Sequence, residues 1–234
     1  MTLSDERVGT AASLTDEDLL APAPTTSPIK SWWARSWVIP LWAVVLFYLY
    51  YQITPFIGVP PSEIQVSPHP GFGAYYPILV VHMTAGTIAM LTACMQVWQW
   101  LRRSHPKIHR ASGRLYVFAG AVPGALAGMT IIWFAPASGK LGVMISVLGW
   151  VTTALVAYFA ARRGNYVLHR RFMLYSFAFV MNNIWGVFFQ IIWIKFHLTL
   201  DFTYLLEASR WLGWVINLAL VQWWLYRTID RPVE

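Results

Sequence analysis

HRRFMLYSFAFVMNNIWGVFFQIIWIKFH, residues His169 to His197, is the stretch whose reading decides the fold. Its apolar run is long enough to cross a bilayer, yet polar side chains recur along it every seven residues: His169, Ser176, Asn183, Gln190 and His197. Seven residues is nearly two helical turns, so on one helix these five form a slowly drifting stripe. Hydrocarbon cannot satisfy such a stripe, because every unpaired polar group there is strongly destabilising. The stripe is therefore expected to point into a bundle of other helices. The reading is an all-α, polytopic integral membrane bundle with a polar interior.

Composition agrees with that class. Hydrophobic residues fill 57% of the 234 positions, charged residues only 12%, mean hydropathy is +0.50 and there are 14 Trp, a profile far from soluble domains. The net charge of +7 does not indicate nucleic acid, since the cations stand in short clusters between apolar runs, where they act as topogenic signals. Cys94 is the single cysteine and lies within an apolar run, which excludes an internal disulfide and a cysteine-ligated cluster.

Residues 1–30 carry five of the ten acidic residues and lack a basic segment leading into an apolar core; they read as a disordered cytoplasmic tail, not a signal peptide. Lys30, Trp32, Trp33, Arg35 and Trp37 then mark a headgroup-level interface. Residues 31–234 form the membrane domain. Apolar runs follow at about 37–56, 76–101, 115–133, 140–161, 172–193 and 206–226, six spans each near the roughly 20 residues that a crossing needs. The Pro/Gly-rich segment 58–73 is an exposed loop. Of the 17 Lys and Arg, all but Lys140, Lys195 and Arg210 fall in the tail, the linkers RRSHPKIHRASGR (102–114) and RRGNYVLHRR (162–171), or the C-terminal end. The positive-inside rule then makes this a multi-pass cell-membrane protein with both termini cytoplasmic.

Span two repeats the seven-residue interval with Tyr75, His82, Ala89, Gln96 and Arg103, so its stripe is expected to face that of span five, with Ala89 opposite Asn183. Gly186, on the flank of that face, is expected to be packed too closely to accept a larger side chain. Counted from the outer ends, His82 and Gln190 fall at one depth near Arg210 and Glu207. The candidate catalytic group is therefore His82, Asn183, Gln190 and Arg210, and Gln96, Asn182 and Asn217 are the candidate cofactor-lining residues. The plainer reading makes Asn, Gln and Ser hydrogen-bonding glue between helices and Glu207–Arg210 a surface ion pair. Span three carries Gly120, Gly124 and Gly128 around Pro123, a pattern that permits close helix approach or a kink with room for a bound molecule.

Histidines are the remaining ligand candidates. His105 and His109 in HPKIH, with His169 from the second linker, offer three imidazoles and an open position for a transition metal. Pro106 works against that set, because proline is tolerated only in a first helical turn and so places His105 before the helix. Haem needs two histidines at similar depth. His82 lies roughly 20 Å from the other three at 1.5 Å per residue, so no haem bridges them, and His82 with Met129 or Met144 is the pairing that remains.

The intramembrane His82 with Gly86, then His109, Arg110, Gly113, Arg114, Leu115 and Tyr116, then His169, Arg170, Arg171, Phe172 and Met173, resemble a family of bacterial membrane proteins called domain of unknown function 2306. The resemblance covers about residues 75–189. It implies a helical integral membrane protein and brings no activity with it. Members commonly have Arg inside the span after the H-R-R-[FW]-M motif, where this chain has Tyr175 and Asn182-Asn183.

Three function classes follow. A membrane-embedded enzyme or redox protein holding a cofactor or a lipid-soluble, quinone- or terpenoid-like substrate is favoured. A small-solute transporter is the first alternative, although no Asp or Glu lies in the core of any span and no inverted repeat is evident. A non-catalytic subunit or scaffold is the second, for which glycine-mediated packing, including packing into a homo-oligomer, suffices.

Overall fold

The computed structural model describes residues 37–59, 71–135, 137–197 and 199–228; the tail, its interface residues Lys30, Trp32, Trp33 and Arg35, and most of the Pro/Gly-rich loop lie outside these. Among the described residues there are helices and no strand: α1 (Val38–Ile53), α2 (Tyr75–Val97), α3 (Gln99–Ser104), α4 (Pro106–Leu115), α5 (Val122–Ile131), α6 (Lys140–Arg162), α7 (Tyr166–Val180), α8 (Asn182–Lys195) and α9 (Phe202–Arg227). The stretches Val38–Phe56, Tyr75–Val97, Pro106–Phe134, Lys140–Arg162 and Tyr166–Lys195 are long and apolar enough to cross a membrane. Leu46, Phe47, Val81, Leu126, Leu148 and Phe159 are each at least half exposed on the outside of the bundle, a surface suited to lipid and not to water.

Both basic linkers are more helical than the charge pattern suggests. Pro106 opens α4 with His105 as its N-cap (φ −132°, ψ 61°), because proline lacks only an N–H that a first turn leaves unbonded anyway. Between α6 and α7 the chain reverses over three residues. Gly164 adopts φ 74°, its N–H bonds the Ala161 carbonyl at 3.1 Å, and the Asn165 N–H bonds the Ala160 carbonyl at 2.9 Å. That is a left-handed helix stop of the Schellman type. The Asn165 side chain then caps α7 by accepting from the Leu168 N–H at 3.0 Å. So closed, α6 and α7 lie side by side, with the Phe179 ring seated against Gly149.

The helix containing Pro123 does not break. A π-helical turn, Tyr116–Ala121, joins α4 to α5. Proline cannot bond the carbonyl four residues back and crowds it, and a wider turn just before the ring relieves both problems. This turn and α5 pack against α2. A Cβ on Gly120 would lie 2.9 Å from the Ala89 Cβ, so the two backbones meet as closely as the glycines permit. Val45, Ala89, Cys94, Tyr116 and Ala154 are wholly buried around this contact.

Two expectations are corrected here. The stripe of span two meets span three: Ala89 faces Gly120 and not Asn183. The stripe of span five is cut at Met181, which leaves α-helical geometry for one residue (ψ −5° against a helical value near −42°). Ser176 is wholly buried, whereas beyond the cut Asn182 takes the inward position and Asn183 is exposed on the outer surface. A Cβ at Gly186 would meet open space, so that flank is not packed.

Candidate functional site

The long apolar stretches, and not each individual helix, alternate in direction, so α2, α6 and α9 begin at one end of the bundle, while the basic linkers lie at the other. At the first end Arg210 donates to the Ser138 carbonyl, and the Ser138 Oγ lies 3.0 Å from both the Thr203 carbonyl and Glu207 Oε2. Trp211 Nε1 donates to Glu207 Oε1 at 2.9 Å. These bonds pin the turn before α6 onto α9. Asp201 starts α9 as an exposed N-cap, its carboxyl held below the usual range by the Thr203 N–H at 2.8 Å. His82 takes no part. Its Nδ1–H donates to the Gly124 carbonyl at 2.8 Å and its ring rests on Gly128. The gap left by the span-three glycines is thus filled by His82 itself, and among the described residues no hydrogen bond joins His82 to Gln190 or Arg210; Gln190 remains partly exposed.

Midway along the bundle the polar groups bind one another. Trp150 Nε1 donates to Tyr116 Oη at 2.9 Å, and the Tyr116 hydroxyl lies 2.5 Å from Ser176 Oγ. With the indole donating, the phenol proton goes to Ser176, whose own proton points to the Trp150 carbonyl at 3.5 Å. At the Met181 cut, Trp185 Nε1 donates to Asn217 Oδ1 at 3.0 Å, and Asn217 Nδ2 donates to the Ala178 carbonyl at 2.9 Å. Asn217 therefore mends the backbone where α7 ends. Asn182 Nδ2 is 3.5 Å from Ser146 Oγ, while its Oδ1 is buried against Gly213 with no partner. Trp150 and Trp185 had no distinguishing sequence signal; Tyr116 and Ser176 lay in the linker motif and the stripe.

At the basic end Gln96 Nε2 donates to Ser112 Oγ at 2.7 Å and to the His109 carbonyl at 2.9 Å, tying α2 to α4. His169 Nδ1 lies 2.9 Å from the Ala157 carbonyl. A carbonyl only accepts, so Nδ1 carries a proton in this bond. His109 Nδ1 is buried without a partner, within electrostatic reach of Arg102, His169 and Arg110. His105 instead packs its ring against Trp100 at 4.8 Å. Among the described residues no three His, Cys, Asp or Glu side chains group as a metal site would require, so His105, His109 and His169 are not one ligand set. Its position at the N-cap removes His105, and His109 with His169 is the pair that remains. The acidic residues among those described are Asp201 and Glu207, both at the far end.

Outward apolar faces, buried hydrogen-bonded polar groups and long alternating helices define a multi-pass helical membrane protein. The family model described as Predicted membrane protein (DUF2306) matches residues 79–225. That is more than half of the chain, which therefore belongs to this family. No curated protein and no solved structure matches it.

Proposed function

We propose that the chain is a membrane-embedded enzyme or redox protein that holds a flat, lipid-soluble cofactor or substrate, quinone-like in chemistry, at the end of the bundle where its two basic linkers lie. His109 and His169 are its polar contacts. The observation that carries this reading is the buried, unpartnered Nδ1 of His109, within electrostatic reach of a His169 whose Nδ1–H is held by the Ala157 carbonyl. A buried polar atom without a partner costs about 1–3 kcal/mol, and a ligand that bonds it recovers that cost.

The purified protein is expected to release an isoprenoid quinone or a coloured cofactor into organic extract, and a Soret band in its visible spectrum would identify that cofactor as haem. His109→Gln and His169→Gln should each lose the ligand while remaining folded, with melting temperatures no lower than that of the ligand-stripped wild type. A wild-type protein that yields no bound molecule, or full retention in both variants, overturns the reading.

The fuller topology belongs to the same proposal: six spans, α9 included, with both termini cytoplasmic. At 26 residues α9 reaches roughly 39 Å, enough to cross. A cysteine placed at Ser67 should be labelled from outside and one at Ser104 should not; the reverse pattern overturns the orientation. Asn183 supports assembly with a second copy, since an amide facing lipid stays unsatisfied until another helix meets it.

A further inference from the structure

We propose that α7 and α9, at the end where the basic linkers lie, form a binding site for the phosphodiester headgroup of an anionic phospholipid. His169 turns towards α6, but Arg170 and Arg171 turn towards α9. The Arg170 guanidinium stacks over Trp224 at 5.1 Å and that of Arg227 over Trp223 at 5.2 Å. Arg171 Nε donates to Tyr175 Oη at 3.0 Å, and that hydroxyl donates to Gln222 Oε1 at 2.6 Å.

Stacking occupies the face of a guanidinium and leaves its edge N–H groups directed outward, the fork that bonds two oxygens of one phosphate. Aromatic contact also orders these long side chains before any ligand arrives. Within the described residues their charge meets no carboxylate, because Glu207 lies twenty residues from Arg227 along α9, roughly 30 Å away. A lipid fits better than a soluble anion. Trp223, Trp224 and Tyr226 are exposed at this level, and exposed Leu220 lies one turn deeper, so acyl chains have an apolar surface continuous with the cationic one.

The test uses the full chain in detergent with phosphatidylcholine or phosphatidylglycerol, bound lipid being counted by native mass spectrometry. Phosphatidylglycerol should be retained in preference, and Arg170→Gln and Arg227→Gln should each weaken its retention about fivefold. Trp224→Leu should weaken it with no change in net charge. Arg162→Gln, on the exposed end of α6, should leave it unaltered, as should every variant the melting temperature in phosphatidylcholine. Retention at the wild-type level in Arg170→Gln, Arg227→Gln and Trp224→Leu overturns the site. An equal loss in Arg162→Gln also overturns it, because bulk charge would then suffice. So does a preference that emerges only after deletion of residues 1–34, which would make the acidic tail the occupant.

Discussion

Two long helices of this bundle are interrupted near their middles, and they recover from it by opposite means. In the stretch Pro106–Phe134 the backbone itself absorbs the disturbance: a π-turn precedes Pro123, and Gly120, Gly124 and Gly128 let α2 come close enough for Ala89, Ala85 and His82 to fill the surface. In Tyr166–Lys195 nothing in the local sequence forces the cut at Met181, and side chains from another helix mend it, Asn217 supplying a donor to Ala178 and an acceptor to Trp185. Packing density supports the first helix. Hydrogen bonds from α9 support the second, which makes α8 dependent on α9 in a way that α5 is not.

That contrast can be broken at three positions. Gly120→Val should have the largest effect, about 3 kcal/mol or more of lost stability, because even its Cβ lies 2.9 Å from that of Ala89 and both backbones are fixed. A melting temperature in detergent equal to wild type would show that the α2–α5 contact is loose. Asn217→Leu should cost about 1–2 kcal/mol by stranding the Trp185 N–H and the Ala178 carbonyl. Its loss should appear as faster amide exchange in α8 and leave α5 protected; uniform change across both helices would erase the distinction. Gly186→Leu should move the melting temperature least, within about 0.5 kcal/mol, since its Cβ enters open space. It should nevertheless dissociate any self-association made through the Asn183 face, and an unaltered oligomer by light scattering would place that contact elsewhere.

Much of the architecture was legible because its signals are local. Apolar runs gave the helices, Pro106 fixed the start of α4, and glycines four apart announced a close approach. The partners were not legible. Indexing by sevens assumes an unbroken helix, and Met181 carries neither proline nor glycine to warn of a change of phase, so Asn183 was assigned the inward place that Asn182 holds. His82 binds a backbone carbonyl, an acceptor that every residue owns and no side-chain pattern displays. Tyr116, Trp150 and Ser176 come from three separate helical stretches, and one indole among 14 Trp has nothing to mark it. The RRGN reversal was present as a glycine followed by an Asn cap, but its arginines drew the reading towards charge.

Cys94 lies sealed in the contact between α2 and its neighbours, with no surface open to solvent. An alkylating reagent reaches its sulfur only during moments when those helices separate. The pace of alkylation therefore counts such openings, and site-specific probes can be introduced with the native thiol left in place, silent for as long as the molecule stays shut.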